Sequence, residues 1–336
     1  MSIKIQVPLD QEEKNPASYK PPSDKFEKAY ILLEDGTEIE GYAFGAQKTT
    51  CAEICFNTGM TGYQEILTDP SYSNQTVVMT YPLIGNYGIN SEDVESNRIQ
   101  VSGFIVREFC ATPSNWKSTQ SLQEYLIQND IPAVCGVDTR RLTKIIRTQG
   151  AMNCLITTEK ITDKHKQQLA AYKFPTDVVA QVSRNDVLTI DGTTKKIGIV
   201  DVGVKNGIIR HFKELGCTIK VFPWDVKAEE ILKHNFDALL LSNGPGDPKE
   251  AKETIQLAKD LIGKLPLFGI CLGVQILALA LGADTYKLKF GHRGSNHPVI
   301  DLRSNKVSIT AQNHGYAIKN ENLPKCMEIT HINVNN

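Results

Sequence analysis

The sequence has no apolar run approaching the ~20 residues that a bilayer-spanning helix requires. Its opening stretch, Met1-Ser2-Ile3-Lys4-Ile5-Gln6-Val7-Pro8, has no apolar block of the signal-peptide kind. It lacks an excess of either charge: 37 Lys and Arg stand against 38 Asp and Glu, for a formal net charge of −1. Electrostatics therefore give no case for nucleic acid or an anionic membrane as partner. The eight cysteines, at 51, 55, 110, 135, 154, 217, 271 and 326, include no C-x-x-C pair and no dense framework of a small secreted domain. Cys51 and Cys55 have no histidine or second pair at zinc spacing, so they read as free thiols behaving as small apolar residues. There is no repeat, no low-complexity segment and no G-x-x-x-x-G-K-[ST] phosphate loop. These absences predict a cytoplasmic chain with no metal, ATP or other cofactor site of its own.

What is present is enough for two domains: 336 residues at roughly 150 per domain, with 41% apolar residues to build cores. Residues 1–28, with Pro16, Pro21 and Pro22 among Lys, Asp, Glu and Ser, read as a mobile tail. Residues 29–182 read as a mixed α+β domain. Alternating segments at 30–33 and 38–42 flank Asp35-Gly36, a hairpin signal. Further strands are expected around 54–56, 76–79 and 101–106. Ser118 or Thr119 is expected to cap a helix carrying Leu122, Tyr125 and Leu126, and Asp138-Thr139 a helix over 140–149 that stops at Gly150. Residues 183–195 are polar and read as a linker. From 196 to the end, strands expected at 197–202, 218–222, 237–241 and 265–270 alternate with helices at 207–215, 228–234 and 250–262. That alternation predicts a doubly wound α/β domain with a parallel sheet covered on both faces.

The sharpest chemical signal is Gly269-Ile270-Cys271-Leu272-Gly273. A strand enters it and an apolar helix leaves it, so the two glycines permit a tight turn that pushes Cys271 out at the carboxyl edge of the sheet. A helix amino-terminus there is expected to lower the thiol pKa, and the Leu272 N–H is placed to donate to an oxyanion. Taken alone, the pattern suits a buried structural cysteine as well as a nucleophile. A second loop, Ser242-Asn243-Gly244-Pro245-Gly246-Asp247-Pro248, follows the preceding strand and opens at the same edge, with Gly246 N–H as a second possible oxyanion donor. A third segment, Thr310-Ala311-Gln312-Asn313-His314-Gly315-Tyr316, is expected to place polar groups after another strand. His314 is read there as structural or substrate-flanking rather than as a catalytic base.

These three segments together resemble the class I (triad) glutamine amidotransferases. The first half narrows the resemblance. Phe56-Asn57-Thr58-Gly59-Met60-Thr61-Gly62-Tyr63-Gln64-Glu65-Ile66-Leu67-Thr68-Asp69-Pro70-Ser71-Tyr72, Thr80-Tyr81-Pro82-Leu83-Ile84-Gly85-Asn86-Tyr87-Gly88, Gly136-Val137-Asp138-Thr139-Arg140-Arg141-Leu142-Thr143 and Gly150-Ala151-Met152 are similar to the small, glutaminase subunit of carbamoyl phosphate synthetase. The resemblance spans nearly the whole chain from about residue 29.

It implies that Cys271 attacks the carboxamide of L-glutamine to give a thioester and ammonia. It also implies that Gly59, Gly244, Gly246, Leu272, Gln275, Asn313, Gly315 and Tyr316 surround the substrate. Gly59 matches a position where the family often carries Ser, Tyr316 one where it often carries Phe, and Val274 one where it usually carries His. The implied partner is the large subunit of the synthetase, on which ATP and Mg²⁺ would act, with the first domain's motif segments at 57–88 and 136–152 folding that domain and docking the partner. The family's catalytic His and Glu stand in a His-Pro-Glu-type motif beyond the Thr330-His331-Ile332-Asn333 region, and this sequence reaches Asn336 without it. The expectation is a slow glutaminase, with a truncated fragment or a non-catalytic binding subunit as the alternative.

Overall fold

The structure, a computed structural model, describes residues 26–335. The tail reading falls mostly on residues outside that range, and its last residue, Lys28, already belongs to the first strand, Lys28–Leu33. The expected hairpin forms around Asp35-Gly36, pairing Lys28–Leu33 with Glu38–Ala43. What the local pattern did not foretell is closure. Among the described residues, seven strands of the first domain join into a barrel, with the first strand also pairing Met152–Thr157. Met152–Thr157 in turn pairs Thr50–Asn57. Closure leaves none of those strands with an open edge.

The two expected helices form. The second begins at Thr139 with the Asp138 side chain accepting from Arg141 N and ends at Gly150. The first begins later than expected. Its N-cap is Ser121, whose hydroxyl and the Glu124 carboxylate make reciprocal capping bonds around Leu122–Gln128. Thr119 N donates to the Ile89 carbonyl and Ile89 N to the Gln120 carbonyl, so residues 119–120 are held in a bridge and the helix cannot start on Ser118 or Thr119.

In the second domain the parallel strands Lys196–Asp201, Thr218–Pro223, Ala238–Leu241 and Leu267–Gly269 form one sheet, with helices between them. Its spatial order puts Lys196–Asp201 between Thr218–Pro223 and Ala238–Leu241, so the chain reverses direction of travel beside the first of these strands. The crevice at such a switch point, at the carboxyl ends of the strands, is where open α/β sheets receive ligands. Val200, Leu239 and Leu241 on this sheet are fully buried against Leu257, Leu261 and Ile276 of the covering helices. Each such side chain contributes roughly 1.5–3 kcal/mol by leaving water.

The stretch read as a linker, 183–195, includes the strand Leu188–Ile190, which adds to this sheet antiparallel to Thr218–Pro223. The segment 310–316 is also corrected. It lies within the strand Val307–Ile318, paired along a long bulged hairpin with Thr285–Asp301. That hairpin reaches back to the barrel: Thr58 N donates to the Arg293 carbonyl and Ala151 N to the Lys289 carbonyl, and the Phe56 and Phe290 rings stack at 5.7 Å. Gly150 and Ala151 therefore meet the second domain of the same chain.

Candidate active site

Cys271 is the N-cap of the helix Leu272–Ala280 and has φ 52° and ψ −107°. A non-glycine residue in that conformation costs on the order of 1–3 kcal/mol and persists only where surrounding structure enforces it. The enforcement is visible on both sides. A Cβ on Gly269 would fall 2.3 Å from the Gly273 carbonyl carbon, and one on Gly273 would fall 2.0 Å from the Leu241 carbonyl oxygen. The strand, the turn and the helix are thus pressed together with no room for side chains, and Cys271 is the residue turned outward.

Neighbouring loops are locked to this turn by hydrogen bonds. Asp201 Oδ1 accepts from Gly203 N and Val204 N at 2.9 and 2.8 Å, curling the chain after the first parallel strand. Asn243 Nδ2 donates to the Gly203 carbonyl at 2.9 Å and to Ser71 Oγ at 3.0 Å. One amide thereby ties together the second domain's two loops and the first domain. Gly244 lies so close to the Val202 carbonyl that a Cβ would be 1.9 Å from its oxygen.

The cavity at Cys271 is lined by Gly244, Gly246, Leu272, Gln275, Asn313, Gly315 and Tyr316. Seven of the eight residues expected around the substrate therefore meet the nucleophile candidate. The hairpin delivers three of them: Cys271 Sγ donates to the Asn313 carbonyl at 3.4 Å, and Gln275 Nε2 donates to the Tyr316 carbonyl at 2.7 Å.

Gly59 is the exception. It follows the strand Thr50–Asn57, its N–H donates to Asn57 Oδ1 at 2.6 Å, and it lines the adjoining cavity with Asp69, Tyr72 and Lys205. Ser71 lines the Cys271 cavity instead, carried forward by a short helical turn, Pro70–Tyr72, whose first N–H groups are capped by Asp69. Asp69-Pro70-Ser71 is a turn-initiating signature, the one local signal that could have singled out Ser71. Glu53, Gln75, Lys287 and Arg293 also line this cavity. Glu53 is the one charge in the strand Thr50–Asn57, whereas nothing in the local pattern marks Arg293.

The expected lowering of the Cys271 thiol pKa is overturned. Burial pushes it up, with Asp69 adding to the rise, while the Leu272 N–H, Lys205 and Arg293 pull down, and the balance is about 11. Desolvation outweighs the helix end because the thiolate would lie in a cavity closed by the hairpin. The resting sulfur is a thiol, so its alkylation by iodoacetamide, followed by peptide mapping, is expected to accelerate about tenfold per pH unit from pH 7 to 10. A rate that levels off near neutral pH would show a thiolate already present.

His314 lines the same cavity, but its Nδ1 is bonded to the Tyr316 carbonyl at 2.8 Å and its Nε2 faces Gln312 Oε1 at 3.1 Å. Burial pushes its pKa down to about 4. The neutral ring carries one N–H, which Nδ1 donates to the Tyr316 carbonyl, leaving Nε2 as an acceptor 3.3 Å from His292 Nδ1, and the hydrogen-bond acceptor for Cys271 Sγ is a carbonyl rather than this imidazole.

A family model for the carbamoyl-phosphate synthase small chain, CPSase domain, matches residues 31–156, and one for class-I glutamine amidotransferase matches residues 198–336. The carbamoyl phosphate synthase small chain of Clostridium perfringens is 52% identical over 309 residues, covering 92% of this chain and 88% of the relative. The chain belongs to the carbamoyl-phosphate synthase small-chain family. The small chain of Bacillus caldolyticus is 49% identical over 310 residues, with 92% and 85% of the two chains covered. The pyrimidine-specific small chain of Bacillus subtilis is 48% identical over 309 residues, with the same coverage. As a member of this family the protein has its barrel in the part matched by the first model and its Cys271 elbow in the part matched by the second.

Among the described residues no helix is long and apolar enough to cross a membrane. None of their His, Cys, Asp and Glu side chains cluster in a group of three or more that could hold a metal ion.

Proposed function

We propose that this small chain is the glutaminase of a glutamine-hydrolysing carbamoyl phosphate synthetase. Cys271 Sγ forms a bond to the carboxamide carbon of L-glutamine, and the oxyanion takes hydrogen bonds from Leu272 N–H and from Gly246 N–H. The C–N bond then breaks, the thiol proton ends on the departing nitrogen, and water hydrolyses the γ-glutamyl thioester to glutamate. Ser71, Gln275, Asn313, Gly315 and Tyr316 hold the amino acid around this centre.

The observation that carries the reading is the strained, outward-turned Cys271 at the floor of a cavity built by both domains. Ammonia passes to a large-subunit partner in a heterodimer, and ATP and Mg²⁺ act there. The two chains work in the cytoplasm, and their product serves pyrimidine and arginine biosynthesis. The first-domain segments 57–88 and 136–152 supply the docking surface.

Incubating the full chain with L-glutamine at pH 8, then quenching in acid and mapping peptides by mass, is expected to show a γ-glutamyl adduct on the Cys271 peptide. No adduct is expected with Cys271→Ser. An adduct on Cys51, Cys55 or any other cysteine would overturn the assignment.

A further inference from the structure

Two walls of the Cys271 cavity belong to separate segments of the second domain. One is the loop 242–248, with Gly244 and Gly246, and the other is the strand Val307–Ile318, with Asn313, Gly315 and Tyr316. Both are drawn to a single carboxylate outside the cavity. Asp284 Oδ1 pairs with Lys249 Nζ at 2.7 Å, and Asp284 Oδ2 pairs with Lys319 Nζ at 2.5 Å. Lys249 stands in the helical turn Pro248–Glu250 at the end of the loop, and Lys319 is the residue after the strand. The backbone repeats the second tie, with Lys319 N donating to the Asp284 carbonyl at 2.8 Å.

Asp284 is in turn fixed to the helix that carries the nucleophile. Leu281 caps the end of Leu272–Ala280, and Ala283 N donates back to the Ala278 carbonyl at 2.9 Å. Thr285 N donates to Asp284 Oδ1 at 2.8 Å, which orients the carboxylate. The two walls also face each other at Tyr316, whose hydroxyl pKa is pushed up by burial and then by the Asp247 carboxylate of the loop. A lone exposed ion pair shifts an equilibrium by about fivefold at most. Here the carboxylate also screens two ammonium groups from each other, and without it like charges on opposite walls would push those walls apart.

We propose that Asp284 is a positioning residue: its carboxylate clasps the loop of Gly244 and Gly246 to the hairpin of Asn313 and Tyr316 and so sets the width of the cavity at Cys271. The proposal rests on the glutamine reading above for what enters the cavity, while the clasp itself is defined by the three segments it joins.

Alkylation of Cys271 in the full chain, followed by peptide mapping, tests it with two reagents. Iodoacetamide needs only access to the sulfur, whereas L-2-amino-4-oxo-5-chloropentanoic acid is shaped like glutamine and needs both walls in place. In Asp284→Asn at low salt the iodoacetamide rate is expected to rise, and the KI of the chloroketone to rise with it, each by roughly three- to tenfold. Asp284→Glu, which keeps the charge, is expected to restore both to within about twofold of the unaltered protein. Adding Lys319→Gln to Asp284→Asn removes the repulsion and is expected to recover much of the change. Between about 0.02 and about 1 M salt the unaltered protein and Asp284→Asn are expected to converge, since screening weakens the clasp in one and the repulsion in the other. If Asp284 matters only to folding, Asp284→Asn labels every buried cysteine faster and lowers the thermal midpoint with no recovery from Lys319→Gln, which overturns the proposal. Iodoacetamide and chloroketone kinetics of the unaltered protein that do not respond to salt overturn it without recourse to a variant that must fold. Failure of the chloroketone to label Cys271 saturably, with the iodoacetamide contrast intact, would overturn the glutamine reading and leave the clasp standing.

Discussion

Cys271→Gly is expected to abolish glutamine hydrolysis while making the protein more stable by roughly 1 kcal/mol. The two effects have one cause. At φ 52° and ψ −107° the backbone is the mirror image of an extended conformation, which glycine adopts as readily as its opposite and which a residue with a Cβ adopts only under strain. Relieving that strain yields about 1–3 kcal/mol, against roughly 0.5–1 kcal/mol for the extra chain entropy of glycine in the unfolded state. The side chain removed is small and faces a cavity rather than packed core, so little packing is lost. Loss of the sulfur removes the covalent step, and a fall of at least ~10³-fold in ammonia release is expected, since a nucleophile deleted from a catalytic group leaves only binding and oxyanion stabilisation. Thermal denaturation and an ammonia assay on the same preparation check both halves. A destabilised Cys271→Gly would show that the turn is not strained in the folded protein.

Gly273→Ala is expected to cost roughly 3 kcal/mol or more and to disable the site, although alanine is the better helix former. Gly273 lies in the first turn of Leu272–Ala280, where helix propensity alone favours alanine by about 1 kcal/mol. Its Cβ would fall 2.0 Å from the Leu241 carbonyl oxygen and 2.9 Å from that of Ser242. Both are backbone atoms of the neighbouring strand and loop, which cannot rotate away as a flexible side chain can. Overpacking of this kind costs typically 1–3 kcal/mol and sometimes more, so the clash wins over propensity. Relief requires the helix to lift from the sheet, moving Leu272 N–H and Cys271 together. Urea denaturation gives the stability change and peptide-mapped alkylation the loss of site geometry. An unaltered midpoint would show that helix and strand are not in close contact.

The local chemistry of the chain was legible without coordinates wherever short-range physics dominates. Strand–helix alternation from Lys196 onward dictates a parallel sheet, because each amphipathic helix must cover a strand it follows. Gly269 and Gly273 around Cys271 dictate an elbow, because only residues without a Cβ tolerate the contacts measured there. Asp138 and Gly150 bracket a helix by capping chemistry that acts over three or four residues. The helix expected to start on Ser118 or Thr119 starts on Ser121, because the bridge between Ile89 and Gln120, formed by residues 31 apart in sequence, sets where it begins.

Contacts between distant segments required the tertiary structure. Closure of the barrel depends on Leu33 meeting Cys154 and Thr50 meeting Ile156, pairings that no local periodicity encodes. The bulged hairpin from Thr285 to Ile318 carries Asn313, Gly315 and Tyr316 to Cys271 and seals the cavity, and the desolvation it imposes reversed the expected shift of the thiol. The resemblance places these three residues and Gly59 around the substrate; in the fold the three line the cavity at Cys271 together with Ser71, and Gly59 lines the adjoining one. Two residues twelve apart can face different cavities once the helix Tyr63–Thr68 intervenes. Arg293 shows the same dependence on long-range contacts. As one basic residue in Gly291-His292-Arg293-Gly294 it is unremarked in the sequence. Its burial beside the nucleophile, in a cavity it shares with Glu53 of the barrel, comes from the hairpin packing against the first domain, because the environment of a charge is set by every atom around it and not by its neighbours in the chain.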